Sequence, residues 1–224
     1  MVLEMNYLLV FYTGNEIKRV TLRKSENITV GSGDKDTVKI NNCGLEAGHL
    51  SFRHIDGGIN ILARTPFEII GETAVNRVIS AGDTLKINPH VILTVFENCC
   101  DFENVISLNN LMEIKIGRSS KNDIVLKGTL VSSSHAVLRN LRNRWIIKDK
   151  HSRNGIFVDD KLVTSENFEL HDDAVIFIGG FVFEFRNNAL KFKNTPGNVI
   201  ISSELINSVT VSFSPPKSYP LFYL

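Results

Sequence analysis

The chain has 224 residues, enough for one large or two small domains of about 100 residues each. It is 43% hydrophobic and 22% charged, which suits globular folding. Its formal net charge of +1 argues against a general nucleic-acid binder.

The first element is the apolar stretch 7–12, about six residues long, before the turn at Gly14-Asn15. It lacks a basic leader and a cleavage site, so it reads as a strand rather than a signal peptide. Nowhere do about 18 uncharged apolar residues follow one another, so a membrane span is not expected here. The apolar segments that follow are short and rich in Val, Ile and Phe: Val38–Ile40, Ile59–Leu62, Val91–Phe96, Trp145–Ile147, Val175–Ile178 and Phe181–Phe185. Gly57-Gly58, Gly179-Gly180 and Asn187-Asn188 punctuate hairpins. No helical period is sustained. The pattern predicts an all-β chain with little or no helix. Cys43, Cys99 and Cys100 fit neither a paired framework nor a metal site, and the adjacent pair reads as buried thiols at a strand end. A reducing compartment is the simplest setting.

An internal repeat organises the rest. Gly31 precedes Gly117 by 86 residues, and His49 precedes His135 by the same 86. At that offset Val38-Lys39-Ile40 aligns with Ile124-Val125-Leu126, and Ile59-Asn60-Ile61 with Trp145-Ile146-Ile147. With a small gap, Ala81–Leu85 aligns with His171–Val175. Two β-sandwiches in tandem are therefore expected, at 1–98 and 103–193, with a short join near Asn98–Glu103. Residues 194–224 read as a last strand or two, around Thr210–Phe213, and then an extended tether with Pro215-Pro216 and Pro220. Their apolar ending suggests a piece of a longer polypeptide.

The second copy carries the chemistry. Gly117-Arg118, then Ser132 and His135, then Ser152 and Asn154-Gly155 stand between apolar runs. Arg presents a planar fork of donors to phosphate oxygens, Ser a single neutral donor, and Asn a donor and an acceptor for a peptide backbone. An anion on an extended peptide suits such a set. Gly117 lets the backbone turn closely beside Arg118, whose alternative is a surface pair with Asp123. Asn154 holds a peptide backbone or simply forms the turn ahead of Gly155. Ser133 contributes a weaker contact. Lys121 and Arg153 add positive potential at the rim or are plain solvated charge. Trp145, the only tryptophan, reads as core, and Asp149 as a turn cap for Ser152.

This spacing of G-R, S-x-x-H and N-G resembles the signature of the forkhead-associated (FHA) domain, with Ile124, Leu126, Ala136, Leu138, Trp145 and Ile147 at the family's apolar positions. The resemblance implies a β-sandwich that binds phosphothreonine. It assigns the phosphate to Arg118 and Ser132, the peptide backbone to Asn154, and a bracing role to His135. In the first copy, Ser32 replaces Arg118, Glu46 replaces Ser132, and Thr65-Pro66-Phe67-Glu68 carries no Asn-Gly. A carboxylate at Glu46 repels phosphate, so that copy reads as a degenerate structural or contact module.

Catalysis by Ser132, His135 and Asp149 is disfavoured, because no strand-turn-helix G-x-S-x-G context surrounds the serine. No cofactor or metal site is expected, and no Walker motif occurs. A phosphate-independent docking scaffold is the competing binding class. Two such domains before a proline-aromatic tail are similar to the cytosolic N-terminal region of the EssC/YukBA-type (FtsK/SpoIIIE) ATPases of type VII secretion systems. That resemblance implies a cytoplasmic position at the inner face of the plasma membrane, in a membrane-anchored parent. It implies a protein partner, such as the EssB/YukC-type pseudokinase-like membrane protein.

Overall fold

The computed structural model describes residues 6–14, 16–69, 71–97, 104–164, 167–192, 198–208 and 211–213. The chain divides into two compact units, Met1–Cys100 with Phe157–Val163, and Asp101–Ile156 with Thr164–Leu224. The expected join at Asn98–Glu103, with Cys99 and Cys100, lies outside the described residues.

The first unit holds β1 (Tyr7–Thr13), β2 (Ile17–Leu22), β3 (Asn27–Gly31), β4 (Val38–Lys39), β5 (Leu50–Ile55), β6 (Gly58–Ile69), β7 (Glu72–Ile79), β8 (Thr84–Asn88) and β9 (Val91–Glu97). Their order is β2-β1-β9-β8-β6-β5-β3-β4, with β7 on β6. Successive side chains of a strand point to opposite faces, and β6 shows it: Ile59, Ile61 and Ala63 are buried, while Leu62 and Arg64 are exposed. The buried set meets Phe11 and Phe52, whose rings pack edge to face at 5.9 Å.

The rest of the chain adds β10 (Asn104–Ser107), β11 (Glu113–Gly117), β12 (Ile124–Leu126), β13 (Ala136–Leu141), β14 (Arg144–Asp149), β15 (Ile156–Val158), β16 (Lys161–Leu162), β17 (Phe168–Glu169), β18 (Ala174–Ile178), β19 (Phe181–Arg186), β20 (Ala189–Phe192), β21 (Val199–Ile201), a short helix α1 (Ser203–Ser208) and β22 (Val211–Phe213); of these, β16 and most of β15 fall in the stretch grouped with the first unit. They form two sheets, β16-β15-β18-β19-β20-β10-β22 and β17-β14-β13-β11-β12-β21. Among the described residues the fold is all-β apart from that helix of six residues. Asn187 and Asn188 turn the β19–β20 hairpin with φ of 51° and 54°, the left-handed pair a type I′ turn needs.

The units share connectivity with one exchange. In the first, β1 lies between β2 and β9; in the second, β20 lies between β10 and β19. Both central strands are antiparallel to both neighbours. The place filled by the first strand of one unit is thus filled in the other by a strand from the end of the chain. The C-terminal strands are also paired: β21 lies on β12 and β22 on β10. The stretch 214–224, read as a tether, lies outside the described residues.

Trp145 sits in β14 and is only 2% exposed. Its fluorescence therefore reports on the second unit. Native emission is expected to be blue-shifted, and its red shift in urea should track unfolding of that unit; a solvent-like native spectrum would contradict the burial.

Candidate functional site

Two loops flank β12. The first leaves β11 at Gly117 and carries Arg118 to Asp123; the second runs from Lys127 to His135. They are stitched together by main-chain bonds: the Arg118 N–H donates to the Ser132 carbonyl at 2.9 Å, and the Ser119 N–H to the Ser133 carbonyl at 3.1 Å. Asn122, buried, locks the same pair of loops. Its side-chain amide donates to the carbonyls of Ser119 and Ser133, both at 2.7 Å. Gly117 is required by space. A Cβ there would lie 2.6 Å from the Ser133 oxygen and 3.0 Å from the His135 nitrogen. Gly117→Ala is expected to cost about 1–3 kcal/mol as overpacking, measured as a lower urea midpoint of the Trp145 transition.

A third loop, between β14 and β15, joins them through His135. The ring is fully buried. Its Nδ1 accepts the Ser132 N–H at 3.0 Å, and its Nε2 lies 3.0 Å from the Gly155 carbonyl. The first bond requires a bare Nδ1, so the proton is on Nε2 and is donated to Gly155. Burial holds the His135 pKa below the usual histidine value, against the opposing pull of the Gly155 carbonyl and the Asp149 charge. Gly155, at φ of 72°, uses the left-handed region that glycine enters freely. Asp149 accepts from both the N–H and the hydroxyl of Ser152, at 2.6 and 2.8 Å, and the Ser152 oxygen accepts the Gly155 N–H at 3.0 Å.

The predicted contact residues converge on this loop cluster. Arg118 is exposed, and its Nε donates to the Val131 carbonyl at 3.1 Å. Asp123 is engaged elsewhere, its carboxylate accepting the Lys115 N–H at 2.7 Å. The Ser132 hydroxyl accepts the Arg153 N–H at 3.0 Å and so has its own proton to give. Asn154 donates to the Leu130 carbonyl at 2.8 Å, which ties the third loop to the second. Ser133 is exposed and enters the cluster through its carbonyl. Lys121 and Arg153 are exposed. Ser132, His135 and Asp149 are near one another in space but bonded otherwise than in a catalytic triad: the imidazole pairs with two main-chain groups and the carboxylate with Ser152.

The first unit repeats this scaffold without its polar face. The Ser32 N–H donates to the Glu46 carbonyl at 3.1 Å, and the Glu46 N–H to His49 Nδ1 at 3.4 Å. His49 Nε2 meets the Thr65 hydroxyl at 3.0 Å, because β6 runs straight through where the second unit interposes its third loop. At the Asn122 position stands Asp36, which accepts the N–H groups of Gly33 and Gly48 at 2.8 and 3.0 Å. Burial opposes its charge, yet these two bonds leave its pKa below the usual carboxylate value. The exposed Glu46 carboxylate lies 3.6 Å from the Arg64 guanidinium. Among the described residues no cluster of His, Cys, Asp and Glu could hold a metal ion. No helix among them is long and apolar enough to cross a membrane.

The model of the FHA domain family matches residues 114–179, the span that holds all three loops. No curated protein matches the chain. Among solved structures, the chain is similar to the N-terminal FHA domain from EssC, a component of the bacterial type VII secretion apparatus. Identity is 13%, covering 88% of this chain and 95% of that one, with a TM-score of 0.61; the likeness is one of fold. The FHA-2 domain from a Mycobacterium tuberculosis ABC transporter is 33% identical over 38% of this chain and 77% of that one, with a TM-score of 0.33. A third, described as a structural and functional analysis of phosphothreonine-dependent FHA domain interactions, is 22% identical. It covers 42% of this chain and 97% of that one, with a TM-score of 0.31. With its characteristic residues gathered on three bonded loops and the family model lying over them, the chain belongs to the FHA-domain family.

Proposed function

We propose that this chain is a non-catalytic protein-interaction module whose second unit recognises a phosphothreonine peptide. The observation that carries the reading is the juxtaposition of Arg118 and Ser132 on loops joined by a main-chain bond. Arg118 is exposed with one guanidinium nitrogen engaged, and the Ser132 hydroxyl has a proton to donate. A phosphothreonine brings nearly two negative charges and three acceptor oxygens. Asn154, whose amide is bonded to the Leu130 carbonyl, serves the peptide main chain in this reading, with Arg153 and Lys121 at the rim and a minor contact from Ser133. Ordering the peptide offsets much of the gain, so affinity near the micromolar range, about −8 kcal/mol, is expected.

In this proposal the first unit is a degenerate FHA fold that holds protein contacts. Ser32 and Glu46 remove the phosphate donors there. The two-unit organisation, with the fold likeness to the EssC region, supports a place in the cytosolic assembly part of a type VII secretion ATPase, at the inner face of the membrane. A partner of the EssB/YukC class would then carry the phosphothreonine or dock on the module directly. The test is a titration of the whole chain with a degenerate phosphothreonine peptide pool, alongside unphosphorylated and phosphoserine pools. Saturable binding that needs phosphate and prefers threonine is expected. Equal binding of the unphosphorylated pool would replace the reading with a phosphate-independent scaffold.

A further inference from the structure

We propose that β21 is a latch on the phosphate-binding loops: docked along β12 it orders them, and its release loosens them. The inference rests on the phosphothreonine reading and assigns that site a means of regulation. β12 is three residues long and stands between the loop of Arg118 and the loop of Ser132. β21 pairs with it along its whole length, Ile124 opposite Ile201, Val125 opposite Ile200 and Leu126 opposite Val199. The bonding continues past both ends. The Ser202 N–H donates to the Asp123 carbonyl at 2.9 Å, and the Lys127 N–H to the Asn198 carbonyl at 2.8 Å. Asp123 is the last residue of one loop and Lys127 the first of the other. The C-terminal strand therefore grips the roots of both.

Those roots lead directly to the site. Asp123 is tied to Lys115 through its main-chain N–H and its carboxylate, and its neighbour Asn122 holds the carbonyls of Ser119 and Ser133. Beyond Lys127, the Val131 N–H donates to the Gly128 carbonyl at 3.1 Å, forming the turn that leads into Ser132. The latch is held by few side chains: Val199, Ile201 and Leu205 are buried, whereas Ile200 and Ile206 are exposed. A three-residue strand with so small an apolar anchor opens at far lower free energy than the sandwich unfolds. In the first unit, which lacks the phosphate donors, β4 ends the sheet and no strand among the described residues covers it. Loops ordered in advance spare the entropy of ordering them on binding. By linkage, a bound peptide would in turn hold β21 down. A partner that pulls on the segment after β22 acts first on the pairing of β22 with β10 and then on β21.

The experiment compares the full chain with Ile201→Asp, and with the milder Ile201→Ser should the first fail to fold. Ile206→Ser serves as a surface control. Amide hydrogen exchange of residues 117–134 is measured without ligand, and affinity is measured for the phosphothreonine pool, with Trp145 emission confirming the fold. Folded Ile201 variants are expected to exchange these amides about tenfold faster and to bind the pool about tenfold more weakly, as loss of preorganisation implies; Ile206→Ser should do neither. Exchange and affinity both at wild-type level in a folded Ile201 variant would overturn the latch. If even the wild-type chain binds no pool, the phosphothreonine reading falls separately, and unchanged exchange would still overturn the ordering of the loops by β21.

Discussion

Arg118→Ala is expected to weaken phosphothreonine-peptide binding by about 10- to 100-fold, the equivalent of the roughly 1.5–3 kcal/mol of a charge-assisted hydrogen bond. The loss should be nearly all in binding, because the side chain contributes little to the fold: it is exposed and makes one bond, to the Val131 carbonyl. The residue's main-chain bond to Ser132 survives the substitution. Ser132→Ala should cost about tenfold through a neutral donor, with some stability lost as the Arg153 N–H loses its acceptor. Raising the salt should narrow the gap between wild type and Arg118→Ala, since exposed charges are screened within about 8 Å at physiological ionic strength. Substituting Glu46 or Ser32 in the first unit should leave affinity unchanged. The checking measurement is calorimetry or fluorescence anisotropy on each variant, with Trp145 emission as the control for folding. An Arg118→Ala protein that binds as tightly as wild type would remove phosphate recognition from these loops.

Most of the fold was legible because β-strands write their burial in the sequence with a period of two. The short apolar runs, from Tyr7–Tyr12 to Phe181–Phe185, lie within strands, except that Val38–Ile40 extends one residue past β4. The loops that carry the candidate site were legible because their residues sit at fixed offsets around strands that also repeat. Asn122 was overlooked, although the signal was present: it falls 86 residues after Asp36, two residues before the start of β4 or β12 in each copy. Its role depends on two carbonyls brought to it by separate loops, and spacing alone does not show them. The substitution of β20 for β1 was not legible at all. Local pattern announces a hairpin at Asn187-Asn188, but which open edge the strand then joins is settled by the whole sheet. The strand β21 was hidden for a similar reason. Val199-Ile200-Ile201 is only three residues long, and its meaning lies in β12, some 75 positions earlier by the pairing of Leu126 with Val199 and Ile124 with Ile201.

His135→Ala is expected to destabilise the second unit by about 3–5 kcal/mol, as it strands the half-buried Ser132 N–H and Gly155 carbonyl and leaves a cavity where the buried ring stood. The pH dependence separates this linking role from bulk packing. The folded pKa of His135 is held below its ordinary 6.5, chiefly by burial, so the native state binds fewer protons than the unfolded chain. The stability this contributes is fully present above about pH 6.5 and is lost as the pH falls from there through the folded value. Protonation places a hydrogen on Nδ1, which then faces the Ser132 N–H instead of accepting it. Acid should therefore loosen the loop that carries Ser132 before the core of the unit melts. Peptide binding would weaken over a similar range for a second reason, as phosphate loses its second charge near pH 6; unfolding without ligand avoids that overlap. In urea titrations followed by Trp145 at pH 7.5 and 5.5, the wild-type midpoint should drop at the lower pH. His135→Asn keeps an acceptor for the Ser132 N–H but carries no titrating group. It should start less stable and lose much of the acid sensitivity. If this variant keeps the full wild-type drop, the acid response of the unit originates in other groups, and the imidazole is only a packed side chain.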